Sequence, residues 1–177
     1  MLSWATAHRS AAAAIAVGVL ALLGIGIYWF GPQRLILDRE VSEEIPTPGA
    51  RGSAPPGDEV ADAPAGVQEL ASGEFRSLEH GTTGVARVVE RGDGSRFVRL
   101  EDLDTSDGPD LRVYLTDQLV SDDWGVWDDG EFVDLGALKG NVGDSNYRIP
   151  DDVDLAPYET VVIWCRRFTV GFAVAPI

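Results

Sequence analysis

Cationic side chains are scarce in this chain. Fourteen Lys and Arg face 29 Asp and Glu, for a formal net charge of −15, and Lys139 is the sole lysine. No basic run exceeds two residues, so the clustered cations that track phosphates are missing, which argues against a nucleic-acid partner. Cysteine is scarcer still: Cys165 stands alone. One thiol closes no intramolecular disulfide, so packing must hold the fold, and a redox role would need an outside partner or a cofactor. Hydrolytic machinery is absent too. There is no Gly-x-Ser-x-Gly, no Cys-x-x-Cys, no paired histidine, and no Gly-x-Gly-x-x-Gly between a strand and a helix. Carboxylates abound, yet no spacing singles out a pair for glycoside chemistry. Neither an enzyme class nor a metal site follows from these residues.

What is present starts with an apolar run. Residues 10–33 hold no charged side chain, and as a helix rising about 1.5 Å per residue they exceed the roughly 30 Å hydrocarbon core of a bilayer. Tyr28, Trp29 and Phe30 would sit in the interface, and Pro32 closes the helix. A cleaved signal peptide ends in small residues; this run ends in bulky ones, which predicts a retained single-pass anchor in the cell membrane. Arg9 precedes it and Arg34 and Arg39 follow, so the basic count does not orient it. The brevity of the 1–9 tail favours a cytoplasmic N-terminus and an extracytoplasmic remainder. Residues 34–71 are acidic and rich in Pro and Gly. They read as a mostly disordered linker that would hold the next domain roughly 35 Å from the membrane.

From 72 to 177 the pattern changes to short apolar runs between turn signals. Val85–Glu90, Phe97–Glu101, Leu111–Thr116, Phe132–Leu135 and Asn146–Ile149 are examples. Asp93-Gly94 between two of them is a hairpin signal. No long helical period interrupts, so the spacing predicts an all-β sandwich or barrel of about eight strands. The last runs, Thr160–Cys165 and Val170–Val174, are the densest in β-branched and aromatic residues. In extended form Val161, Ile163 and Cys165 share one face, and Val162 and Trp164 the other. Continuing that alternation puts Arg167 on the thiol's side.

Four ordered pieces carry a family resemblance: Gly73-Glu74-Phe75-Arg76-Ser77 with His80-Gly81-Thr82-Thr83-Gly84, the stretch Leu100–Leu115, the stretch Asp134–Pro150, and Val162–Phe168. On them the chain resembles a DM13 domain across nearly all of 72–177 and none of the anchor or linker. The resemblance implies an extracellular or membrane-tethered all-β module with a proposed role in electron transfer. It also implies that the single cysteine, here Cys165, is the redox group, acting as a bare thiol or through a bound cofactor such as haem.

Residue chemistry supplies competing readings. A lone cysteine among Val, Ile and Trp is commonly a buried hydrophobe, whereas a reactive one needs a cationic neighbour. A bare thiol would cycle through sulfenic acid or a mixed disulfide with a redox protein partner. Haem would need axial ligands, and Cys165 with His80 is the one pair the domain offers, though nothing in the sequence requires it. His80 also reads simply as a surface-loop residue. Glu101–Gly108 resembles a calcium loop, but its glycine comes one place late and Val113 replaces the closing glutamate. Asp107-Gly108-Pro109-Asp110 reads as a structural turn. Trp124 and Trp127, in an acidic loop, either stack on a ligand or pack over the sandwich. The alternative function is therefore a non-enzymatic cell-surface binding or adhesion module in which Cys165 only packs.

Overall fold

The computed structural model describes residues 2–30, 38–45 and 66–177. They belong to two compact units, Met1–Leu37 and Asp38–Ile177.

The described residues of the first unit form one helix, α1, Leu2–Phe30. Alanine and leucine dominate it and no proline falls inside, so nothing interrupts the ladder. Its stretch Ala11–Tyr28 has a mean hydropathy of 2.3 and no buried part. Apolar all round rather than along one stripe, it is long and apolar enough to cross a membrane, a property that signal sequences share. The helix starts at Leu2 rather than at 10, so the expected tail is helical from its second residue, and 31–33 lie outside the described residues.

The second unit is a β-sandwich of ten strands: β1 Glu40–Ser42, β2 Val67–Glu74, β3 Arg76–Ser77, β4 Thr83–Arg91, β5 Arg96–Asp104, β6 Leu111–Thr116, β7 Phe132–Ala137, β8 Val142–Ile149, β9 Thr160–Cys165 and β10 Val170–Pro176. One sheet runs β1-β8-β5-β4-β2 and the other β3-β10-β9-β6-β7. Among the described strands only β1 pairs in parallel, with β8. The chain changes sheets at Phe75, the single residue between β2 and β3, whose N–H donates to the Gly84 carbonyl (3.0 Å).

Period-two alternation sorts the side chains. Val88, Val98, Leu100 and Ile149 from one sheet meet Val113, Leu115, Val161, Ile163 and Ala173 from the other in a sealed inter-sheet core. The expected Asp93-Gly94 hairpin joins β4 to β5. Gly94 takes φ +80°, which a side chain would strain, and Asp93 Oδ1 accepts from the Ser95 N–H (3.0 Å).

Two stretches expected in the linker are ordered. Residues 38–45 belong to the folded unit, and β2 begins at Val67, five residues before the domain was expected to start. Long-range polar contacts hold β1 in place. Arg39 binds Asp107 through Nε (2.9 Å) and Nη2 (2.8 Å), and its N–H donates to Asn141 Oδ1 (2.7 Å). Glu43 receives two bonds from Lys139 Nζ (2.8 and 2.9 Å) and one from the Asn146 N–H (2.8 Å). Linker residues 34–37 and 46–65 lie outside the described residues.

Candidate functional site

Cys165 is the last residue of β9, opposite Leu111 of β6 and Val170 of β10. Its side chain lies on the core face with Val161 and Ile163, as the alternation predicts, and has no exposed surface. A turn follows immediately. The Phe168 N–H donates to the Cys165 carbonyl (3.2 Å), and Thr169 takes φ +50°. The strand therefore ends before Arg167, which sits exposed in the turn, and the expectation of a cation on the thiol's face fails because the alternation stops at Cys165. Arg166 turns to Asp110, to which it donates through Nε (3.0 Å) and its N–H (3.0 Å).

His80, between β3 and β4, is half-buried with its ring 4.0 Å from that of Phe172. No hydrogen bond or ring contact joins it to Cys165 among the described residues. A haem ligated by both would need an open face on the sulfur, and the sulfur has none. The residues present do not fit that group. The calcium-like stretch is also committed elsewhere: Asp107 grips Arg39 and the Gly108 N–H (2.8 Å), and the Asp102 N–H donates to Asp144 Oδ1 (2.9 Å). Among the described residues no group of three or more His, Cys, Asp or Glu is arranged for a metal ion.

The opposite face of β9 holds the larger surprise. Outward side chains of a sandwich are usually wet, yet Tyr114, Val162, Trp164 and Val174 form a second apolar cluster, roofed by residues 117–131. Trp127 from this loop is fully buried and Trp124 is 53% exposed. The Gly171 N–H donates to the Trp124 carbonyl (2.8 Å), and a Cβ on Gly171 would come within 2.8 Å of Trp127 Nε1. Glycine is what lets the indole in. Tyr114 lies between two rings, 6.3 Å from Trp164 and 4.8 Å from Phe132, the latter stacked at 17°. Burial, then the Asp134 carboxylate, raises the Tyr114 phenol pKa above its ordinary value.

Among the described residues neither Trp127 nor Trp164 finds an acceptor for its indole N–H, although both atoms are buried. Truncating a buried tryptophan typically costs about 3–5 kcal/mol, while an orphaned buried donor costs about 1–3 kcal/mol. Phenylalanine would avoid the second cost while giving up part of the first. Alternation along β9 shows that Trp164 faces away from the thiol, and Trp127 takes the packing alternative; that Trp164 would be its target was not legible, because the loop and β9 lie far apart in the sequence.

A family model described as "Electron transfer DM13" matches residues 74–177. No curated protein and no solved structure matches the chain.

Proposed function

Since the chain belongs to the DM13 electron-transfer family, we propose that it is a membrane-tethered redox module: α1 spans the cell membrane once with its N-terminus cytoplasmic, and the extracytoplasmic sandwich passes electrons to or from a protein partner, with Cys165 as the redox group. The family match carries this reading. It runs from the end of β2 to the C-terminus and includes Cys165. The enclosure of the sulfur restricts the chemistry. Attack on an outside disulfide needs contact, so mixed-disulfide exchange requires the β9–β10 end to open, whereas electron transfer through the protein does not.

That same enclosure favours a second reading, a cell-surface binding module in which Cys165 only packs. The two separate on electron counting. The full chain in detergent is titrated with a one-electron oxidant beside Cys165→Ala. A redox thiol predicts that the variant surrenders fewer electrons than the parent at matched folding; equal counts overturn the role of Cys165 and leave the binding module.

A further inference from the structure

We propose that Trp124, Trp127, Trp164 and Tyr114 form a one-electron relay from the surface of loop 117–131 to the strand that carries Cys165. The proposal rests on the electron-transfer reading and supplies its route. All three tryptophans of the sandwich, Trp124, Trp127 and Trp164, lie on this face or in its roof, and none is in the inter-sheet core. Trp127 and Trp164 converge on Gly171: Trp164 is its partner in register, and the Trp127 ring lies against it beside Leu78 Cδ1. Trp124 is joined to the same glycine by the backbone bond and opens to solvent. From Trp164 the rings continue to Tyr114 and to Phe132, which is 40% exposed at the far end. Trp164 is bonded to Cys165 through one peptide unit, so the route passes beside a sulfur that no partner can touch.

The two orphaned indole donors acquire a purpose on this account. A buried unsatisfied group in a native structure calls for an explanation, and a redox role is one of the few. An oxidised indole becomes acidic at its N–H, and an acceptor within reach would take that proton and trap the charge. Trp127 and Trp164 have no such acceptor, so the electron vacancy moves on while the proton stays. The balance closes at the ends. Trp124 gives one electron to a high-potential metal centre of a docked partner, whose metal is reduced by one, and is refilled from Trp127, then Trp164, then Tyr114. Tyr114 releases its phenolic proton to water and becomes a neutral radical. One electron from a reduced donor and one proton from water restore it.

The test is transient absorption on the full chain in detergent, with photo-oxidised ruthenium tris(bipyridine) as the one-electron oxidant. The expected sequence is an indole-radical band followed by a tyrosyl band. Tyr114→Phe, which removes one hydroxyl, should abolish the second band and prolong the first. Trp164→Phe, checked by melting to be folded, should slow tyrosyl formation by an order of magnitude or more. A radical confined to Trp124, or tyrosyl kinetics indifferent to Trp164→Phe, overturns the relay while leaving the electron count of Cys165 untouched. A working relay whose decay is unchanged in Cys165→Ala supports the route and tells against the thiol as its terminus.

Discussion

At the scale of single residues, Cys165 at the end of β9 and Gly171 at the start of β10 show how one turn of the sandwich serves two faces. Gly171 leaves room for Trp127, and Gly171→Ala would push a methyl group to 2.8 Å from its ring nitrogen and 2.9 Å from Leu78 Cδ1. Overpacking of this kind costs about 1–3 kcal/mol, expected as a lower urea midpoint at unchanged m-value. Cys165→Ala should cost about 1 kcal/mol by the core-truncation scale. In the native chain the thiol should react with maleimide far more slowly than after denaturation; equal rates would show that the β9 end stands open. The face of Cys165 was legible because alternation is local. Arg167 was misplaced because β9 ends in a turn at Cys165, which period-two alternation does not anticipate.

At the scale of elements, the hairpin at Asp93-Gly94 and the strand runs from β4 to β10 could be read from the sequence, since turn chemistry and period-two patterning are written in adjacent residues. β1 could not. Its three residues, Glu40–Ser42, sit in an acidic Pro- and Gly-rich stretch, and what fixes them is a set of side chains on distant loops. Asp107 is wholly enclosed and Arg39 partly exposed, so their pair is only half shielded. Arg39→Ala leaves the carboxylate buried without its cation and should cost about 2–3 kcal/mol, below the 3–5 kcal/mol of a fully enclosed pair. Thermal melts of this variant and of a chain trimmed to begin at 72 should both fall below the parent; an unchanged melt would show that β1 contributes nothing to the domain.

At the scale of the whole molecule, charge sets the response to acid. Burial raises the pKa of Glu43, but Lys139 and the Asn146 amide outweigh it and hold the carboxyl below its ordinary value. Glu101 behaves alike: burial is outweighed by Arg87 and Arg99. Groups lowered in the folded state bind more protons when unfolded, so their stabilisation is complete above the ordinary glutamate range and is lost as pH falls through the lowered values. Melting temperature should therefore decline below about pH 4.5. Lys139→Met, which frees Glu43, should flatten that decline.

The central claim is that electrons pass through this sandwich and that its one sulfur takes part. Protein-film voltammetry of the full chain beside Cys165→Ala tests it most directly. A redox wave in the parent that is lost or displaced in the variant is the expected result. No wave in the parent, or the same wave in both, would contradict it.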